Sequence, residues 1–206
     1  MNPRAVNLRI EQDRRVRRIT LAAPEKRNLL DFTVAESLLL ELAEAGQDPE
    51  TGAILIEADG PMFCGGLDPG SPPSPDLFSI GSRAEKPIVI AVQGAAVSAG
   101  LALIANAHVA IAAQGCTFGL TDIREGRWNE GVFGAVAAAV GERRALELAL
   151  TGRIFSTAEA ASWGLVHMVA PVIELDDRAT EIATALANAN RDVVRDALRK
   201  QFAARK

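Results

Sequence analysis

The chain has 206 residues, a formal net charge of −4, and a hydrophobic content of 49% with only 4% aromatic residues. This composition predicts one soluble globular domain with an aliphatic core. The acidic balance argues against nucleic-acid binding, which requires a basic surface.

No apolar run is long enough for a membrane span, and the polar N-terminal segment does not resemble a signal peptide. We therefore expect a cytoplasmic location by default. The two cysteines, Cys64 and Cys116, lack the spacing of metal ligands and lie in apolar segments. They are predicted to be reduced thiols of the core, and no metal site is expected.

The first half of the chain begins with alternating apolar and polar residues that predict a β-hairpin over residues 6–22. Asp31 is predicted to cap an amphipathic helix that ends near Leu42. An apolar strand is expected at 53–58. The segment 69–75, with the sequence PGSPPSP, excludes a helix or a central strand because proline lacks the backbone donor.

The second half alternates apolar strands with helices. Strands are predicted at 87–92, 108–113 and 116–120, with an extended piece at 165–171. Ser98 is predicted to cap a helix over 99–106. Further helices are predicted at 133–151 and 157–163, with breaks at Gly141 and Gly152, and at 176–205. Buried strands that alternate with helices indicate an α/β fold.

Two turns rich in small residues stand out, at 58–68 (ADGPMFCGGLD) and within 93–106 (QGAAVSAGLALIAN). Each follows an apolar strand directly, so each could aim one backbone N–H at a shared point. Two N–H donors that converge on one oxygen form an oxyanion hole, which stabilises an enolate or a tetrahedral intermediate.

These turns, together with PEKRNLLD at 24–31, FGLTDIREG at 118–126 and ALELALTGRIFSTAEAASWGLVHMVAP at 145–171, resemble the crotonase, or enoyl-CoA hydratase/isomerase, family. The motifs occur in family order. The resemblance implies an α/β fold that is a crotonase-like spiral of ββα units. It divides the chain into a core domain at 1–172 and a C-terminal helical segment at 173–206, which would be truncated relative to the family.

The resemblance implies an acyl-CoA substrate whose thioester oxygen accepts hydrogen bonds from the N–H groups of Gly65 and Ala99. Coenzyme A would enter only as part of the substrate, with no other cofactor, and the chain would form a homotrimer or hexamer. The positions that match the coenzyme-binding residues of the family are Lys26, Arg27, Asn28, Leu30, Phe63, Gly65, Leu67 and Asp68.

Basic residues cluster from Arg14 to Arg27 and allow two interpretations. They form a solvated strand face, or they bind an anionic group such as a nucleotide phosphate. The pair Lys26 and Arg27 matches the basic pair that lies near the CoA nucleotide in the family, although both could also be ordinary surface residues.

The acidic residues of the chain argue against an ordinary two-acid hydratase. The first hydratase glutamate of the family corresponds to Ala102, which transfers no proton, and the second corresponds to Asp122. Glu130 lies eight residues later, where some isomerases of the family carry an acid. Because moving a double bond requires a proton to be removed at one carbon and delivered at another, we expect an enoyl- or dienoyl-CoA isomerase that uses Asp122 and Glu130.

Other interpretations remain open. Asp122 could cap a helix and Glu130 could be a loop carboxylate. The chain could also be a hydratase or lyase that uses Asp122 alone, or a non-catalytic acyl-CoA-binding subunit. Trp128 could line the acyl pocket or belong to the core. Glu125 is expected to point elsewhere, and His108 and His167 to be structural.

Overall fold

The computed structural model describes residues 7–70 and 75–203. In this part of the chain, ten strands form two sheets. The strands are β1 (Leu8–Asp13), β2 (Val16–Leu21), β3 (Ala53–Ala58), β4 (Met62–Cys64), β5 (Ile88–Val92), β6 (Ala95–Val97), β7 (Val109–Ala113), β8 (Thr117–Gly119), β9 (Ile154–Ser156) and β10 (Met168–Ala170).

The α-helices connect these strands and cover the sheets. They are α1 (Phe32–Gln47), α2 (Ile80–Arg83), α3 (Ala99–Ala105), α4 (Glu130–Val140), α5 (Glu142–Thr151), α6 (Thr157–Ser162), α7 (Leu175–Ala187) and α8 (Arg191–Ala203). None of the helices within the described ranges is both long and apolar enough to cross a membrane.

The chain winds as a spiral between the two sheets. The six-stranded sheet has the order β1-β2-β3-β5-β7-β10, and the four-stranded sheet has the order β4-β6-β8-β9. Each of the pairs β3–β4, β5–β6 and β7–β8 contributes one strand to each sheet before helical structure follows. The predicted spiral of ββα units is therefore confirmed.

Most predicted elements are present. The hairpin pairs β1 with β2, and the Asp31 carboxylate accepts a hydrogen bond from Val34 N–H at 2.8 Å to cap α1, which continues beyond Leu42 to Gln47. Gly141 ends α4 and Gly152 ends α5, as predicted. The helix predicted at 133–151 begins earlier, at Glu130, because the Asn129 side chain caps it.

Two local predictions were wrong. Ser98 stands at the N-terminal boundary of α3, but its side chain makes no capping hydrogen bond. The helix predicted at 176–205 is interrupted between α7 and α8, where the Asn190 side chain accepts hydrogen bonds from Asp192 and Val193 N–H and starts a new helix. The predictions for residues 1–6, 71–74 and 204–206 lie outside the described residues.

The core lies between the sheets and helices and is aliphatic. Strand β5 is buried along its whole length, and α3 buries every residue from Ala99 to Ile104. Helix α7 places Leu175, Ala179, Ala183 and Ala187 in the same core. Helix α7 therefore packs on the six-stranded sheet, and its small side chains let its backbone approach closely.

Two arginines of the basic cluster form ion pairs within the fold. Arg17 pairs with Glu41 and Asp48 at 3.2 Å each, and Arg18 pairs with Glu57 at 2.7 Å and with Asp176. The carboxylates beside Arg18 raise its pKa against the opposing effect of burial. These two arginines hold the hairpin to α1, β3 and α7, so their charge is already neutralised within the fold.

Candidate active site

Three turns meet at one edge of the four-stranded sheet. Strands β4, β6 and β8 are parallel neighbours, so their carboxyl ends lie side by side. The turns that follow them contain residues 65–67, 98–100 and 120–122. Ligands of α/β proteins commonly bind beyond the carboxyl ends of parallel strands. Both predicted glycine-rich turns and Asp122 thus belong to one region.

The first two turns are in direct contact. A Cβ atom added to Gly66 would lie 3.2 Å from Ser98 Cβ, and one added to Gly100 would lie 2.7 Å from Cys64 Cβ. Gly66 also has a positive φ of 103°, which favours glycine. Small residues are therefore required at these two points because the backbones of the turns approach each other closely.

The structure changes the assignment of the first oxyanion donor. Gly65 N–H donates a hydrogen bond to the Arg27 carbonyl at 2.8 Å, so it is already used inside the fold. Within the described residues, no acceptor contacts Leu67 N–H, although the neighbouring groups Gly66 C=O and Asp68 N–H both bond to Leu30. Leu67 thus offers the available donor in this turn.

The second predicted donor, Ala99, keeps an available N–H. Ala99 is the first residue of α3, and its N–H has no acceptor among the residues that the structure describes. The preceding residue, Ser98, adopts φ 49° and ψ −116°. Its hydroxyl donates a hydrogen bond of 2.8 Å to Asp122 Oδ1, which ties the second turn to the third.

Asp122 is partly exposed and begins a short 3₁₀ turn after β8. It borders a cavity of about 10 Å³, enough for a single water-sized group. Much of the lining is apolar and includes Leu120, Ile123, Trp128, Val132, Phe133 and Ala149. At this volume the cavity by itself does not hold an acyl chain.

Glu130 does not line this cavity. It is exposed at the first turn of α4, and its carboxylate accepts a hydrogen bond from Trp128 Nε1 at 2.8 Å. Trp128 is 46% exposed and contacts Phe133, with 5.0 Å between the ring centroids, so it belongs to the cavity wall and not to the core. The structure brings Asp122 and Trp128 together and places Glu130 outside them.

The predicted coenzyme-binding residues divide into two groups. Lys26 and Arg27 are exposed and free to meet a charged ligand, whereas Leu30 and Phe63 are completely buried. Asn28 is also buried: its Oδ1 accepts from Ala23 N–H, and its Nδ2 donates to the carbonyls of Asp59 and Met62. The side chains of these three residues support the loops from within, and the coenzyme contacts predicted at these positions stay predictions.

Three further positions considered in the sequence are Asp68, Ala102 and Glu125. Asp68 is partly exposed and accepts a hydrogen bond from Gly70 N–H at 2.9 Å, which stabilises its own turn. Ala102 is 1% exposed inside α3 and carries no polar group. Glu125 is exposed and pairs with Arg127 at 2.5 Å, outside the residues that line the Asp122 cavity.

Both histidines act as backbone acceptors. His108 Nδ1 accepts from Ile88 N–H, and His167 Nδ1 accepts from Ala110 N–H, each at 2.9 Å. Burial lowers the pKa of His108 to about 4, against a hydrogen bond with the Gly81 backbone that raises it. Both hydrogen bonds are consistent with the structural role predicted for His108 and with the absence of a predicted catalytic role for His167.

Both cysteines are free and buried. Burial raises the pKa of Cys64 to about 12 and also raises that of Cys116, so both thiols stay protonated at neutral pH. Within residues 7–70 and 75–203, no group of three His, Cys, Asp or Glu side chains could hold a metal ion.

Two functional candidates were missed by the sequence analysis. Leu67 was assigned a coenzyme contact and not the oxyanion donor, because the motif does not show which N–H is already bonded. Ser98 was assigned a capping role that it does not have. The sequence did carry a signal for Ser98: a serine stands directly before the donor Ala99, at a position where the family motif has glycine.

Comparisons with known proteins agree with this geometry. A family model described as enoyl-CoA hydratase/isomerase matches residues 11–205. A mevalonyl-coenzyme A hydratase from Aspergillus fumigatus is 30% identical over 191 residues, which cover 86% of this chain and 71% of that protein. A probable enoyl-CoA hydratase from Mycobacterium bovis is 31% identical and covers 90% and 77% of the two chains.

The match to a rat protein named enoyl-CoA hydratase domain-containing protein 3, mitochondrial, is 30% identical and covers 87% of this chain. The chain spans 64% of the length of that relative. A crystal structure of a probable enoyl-CoA hydratase/isomerase from Mycobacterium abscessus superposes with a TM-score of 0.89, at 30% identity, over 97% of this chain and 83% of that one. The chain therefore belongs to the enoyl-CoA hydratase/isomerase family.

Proposed function

We propose that this protein binds an acyl-CoA thioester at the three turns and isomerises a double bond of its acyl group through an enolate. The observation that carries the proposal is the position of Asp122, after β8 and next to two turns. Each turn offers an N–H that meets no acceptor among the described residues. The thioester oxygen would lie between Leu67 N–H and Ala99 N–H.

The two N–H groups would stabilise the negative charge that develops on the thioester oxygen when a proton leaves the neighbouring carbon. Such donors act without reorganisation because the fold already fixes them, and loss of one typically costs about 3 kcal/mol of transition-state stabilisation. Ala99 is held by α3, which is entirely buried from Ala99 to Ile104. Leu67 is held by the bridge between Gly66, Leu30 and Asp68.

Asp122 would move the proton alone. The other acid that the sequence predicted, Glu130, is exposed and bonded to Trp128, and Ala102 replaces the first acid of the family. One carboxylate that accepts a proton at one carbon and returns it two carbons away completes an isomerisation without adding water. This arrangement uses one acid where the sequence predicted two.

A second candidate is hydration by the same carboxylate, favoured by the relatives that are named hydratases. Hydration requires a water molecule that is both held and activated. In the structure Asp122 is the acid beside the cavity, and its Oδ1 already accepts a hydrogen bond from Ser98. A non-catalytic acyl-CoA-binding subunit is the third candidate, supported by Ala102.

The test combines a 3-enoyl-CoA, whose conversion to the conjugated 2-enoyl-CoA is followed by absorbance, with crotonyl-CoA hydration in parallel. The variants are Asp122→Asn and Glu130→Gln, with Glu125→Gln as the matched control, because Glu125 is an exposed carboxylate paired with Arg127. We expect Asp122→Asn to abolish isomerisation and Glu130→Gln to retain it.

The other possible results of this experiment would each support a different mechanism or function. Loss of isomerisation in both variants would restore the two-acid mechanism. Hydration without isomerisation, lost in Asp122→Asn, would support the hydratase. Acyl-CoA binding with neither reaction would refute the enzyme and leave a binding subunit.

We also propose that the protein forms a homo-oligomer in the cytoplasm. The support is an apolar surface at and after the edge strand β10, where Met168, Val169, Val172 and Ile173 are 40%, 39%, 67% and 89% exposed. A second copy of the chain could cover this surface.

A further inference from the structure

Ser98 has a backbone conformation that non-glycine residues rarely adopt. It joins β6 to α3 with φ 49° and ψ −116°. In this region the Cβ atom of an L-residue is crowded, which costs about 1–3 kcal/mol, and such strain concentrates at active sites. A glycine would adopt the same turn without this cost.

The turn has the geometry of a nucleophile elbow. In that motif a serine stands on a sharp, strained turn between a strand and a helix, with small residues on both sides. Here β6 precedes Ser98, Ala99 and Gly100 follow it, and the facing residue is Gly66. The close contacts of Gly66 with Ser98 and of Gly100 with Cys64 hold the turn in place.

The Ser98 hydroxyl is bonded to a carboxylate. Its Oγ donates to Asp122 Oδ1 at 2.8 Å, within the reach that a nucleophile and its general base require. Ser98 is only 5% exposed, so its hydroxyl lies largely out of bulk water. Asp122 is partly exposed and borders the small cavity described above.

The donors for a tetrahedral intermediate are adjacent to this pair. A nucleophile elbow uses the backbone N–H of the residue after the serine together with an N–H from another loop. The residue after Ser98 is Ala99, and the neighbouring turn offers Leu67; neither N–H meets an acceptor in the described part of the chain. Nucleophile, base and both donors therefore come from three adjoining turns.

We propose that Ser98 is a nucleophile that accepts the acyl group of a thioester, with Asp122 as its base. This inference rests on the thioester position of the proposed function. Ser98 Oγ bonds to the carbonyl carbon while its proton moves to Asp122. The C–S bond then breaks, and the leaving thiolate takes that proton. Water cleaves the resulting serine ester through the same base, which releases a carboxylic acid and regenerates Ser98. The overall reaction is thioester hydrolysis.

The test uses a saturated substrate, butyryl-CoA, because it has no double bond to isomerise or hydrate. Release of free thiol is measured for the full chain, together with mass spectrometry of the Ser98 peptide after incubation with a fluorophosphonate. The variants are Ser98→Ala, Ser98→Gly and Asp122→Asn. Ser82→Ala is the matched control, since Ser82 is an exposed serine whose hydroxyl donates to the Ser79 carbonyl.

We expect thiol release and a fluorophosphonate adduct on Ser98 in the wild type and in Ser82→Ala. Both Ser98 variants should lose the adduct and at least about 10³-fold in hydrolysis. Asp122→Asn should lose a comparable factor in hydrolysis. The glycine variant guards against misfolding, because glycine adopts this turn without strain.

Absence of both thiol release and adduct in the wild type overturns the inference, as does hydrolysis that survives in the Ser98 variants. Exchange of the C2 protons of butyryl-CoA with deuterated water separates the two proposals, because exchange reports the enolate alone. Exchange without hydrolysis refutes the nucleophile and leaves the isomerase standing. Hydrolysis with a Ser98 adduct but without exchange supports the nucleophile, and the isomerase is then judged by the 3-enoyl-CoA assay alone.

Discussion

Gly100 of α3 lies against Cys64 of β4 so closely that a Cβ atom on Gly100 would be 2.7 Å from Cys64 Cβ and 2.9 Å from its carbonyl oxygen. Real side chains do not tolerate such distances, so Gly100→Ala must push α3 away from β4. We expect a loss of about 1–3 kcal/mol in the free energy of unfolding. Activity should fall as well, because the same shift separates Ala99 from Leu67.

The control for this variant is Gly134→Ala. Gly134 lies inside α4, is exposed, and would place its Cβ where nothing lies within 4 Å. Alanine is the better helix former, so this variant should gain about 0.5–1 kcal/mol. Urea unfolding of both proteins measures the difference. Equal stability changes would show that the contact between α3 and β4 is not close-packed.

The strain at Ser98 can be measured by comparing two substitutions. Ser98→Ala and Ser98→Gly both remove the hydrogen bond to Asp122, but only glycine removes the crowded Cβ at φ 49°. The glycine variant should be more stable than the alanine variant by about 1–2 kcal/mol in chemical denaturation. Alanine and glycine proteins of equal stability would mean that the positive φ carries no cost here.

His108 should make stability depend on pH. Burial lowers its folded pKa to about 4, from an ordinary value of 6.5. The unfolded chain therefore binds a proton at a higher pH than the folded one. The contribution of neutral His108 to the free energy of unfolding is fully present above pH 6.5. It is lost as the pH falls from about 6.5 towards 4, by about 1–2 kcal/mol between pH 7 and pH 5.

The variant His108→Asn tests this assignment, since an asparagine oxygen can still accept the hydrogen bond from Ile88 N–H that His108 Nδ1 accepts. Denaturant unfolding is measured at pH 7 and pH 5, where most carboxylates stay ionised. The loss on acidification should be smaller in the variant. An identical loss in both proteins would assign the pH dependence to other groups.

Substitution of Asn28 should lower stability, whereas substitution of Lys26 should weaken coenzyme A binding. Asn28→Ala removes an acceptor for Ala23 N–H and two donors that hold the carbonyls of Asp59 and Met62, all in a buried position. We expect a stability loss of about 2–4 kcal/mol. Lys26→Ala removes an exposed charge, so it should leave stability within about 0.5 kcal/mol and weaken coenzyme A binding.

Thermal unfolding and calorimetric titration with coenzyme A separate these effects. If Asn28→Ala kept its stability and lost only affinity, the amide would be a ligand contact and its buried clamp role would be incorrect. If Lys26→Ala bound coenzyme A as tightly as the wild type, that basic side chain would have no part in binding.

The apolar surface around Ile173 should mediate self-association. Ile173 is 89% exposed and Val172 is 67% exposed beside the edge strand β10. Ile173→Asp places a charge where an interface would desolvate it, so light scattering after size exclusion should show a shift to monomer. Glu181→Gln on α7, which changes an exposed residue, is the control. A monomeric wild type would refute the interface.

The sequence by itself determined the fold class and the order of the elements. Apolar runs of strand length, interrupted by glycine and proline, are local signals, and they predicted the hairpin, α1, β3, β5 and β7. Asp31 and Gly141 acted as helix boundaries because capping depends on a few neighbouring residues. The motif order also indicated the two turns of the candidate site and the acids Asp122 and Glu130 as its candidates.

Tertiary structure decided which groups of that site are available. Gly65 and Leu67 stand two positions apart in one motif. Only the packing of the Arg27 loop shows that Gly65 N–H is bonded, whereas Leu67 N–H meets no acceptor in residues 7–70 and 75–203. Glu130 has the expected sequence position, but Trp128 holds it at the surface. Ser98 was predicted to cap a helix, but the pairing of β6 with β8 brings its hydroxyl to Asp122. Hydrogen bonds between residues far apart in sequence depend on how strands align, and no local pattern encodes that alignment.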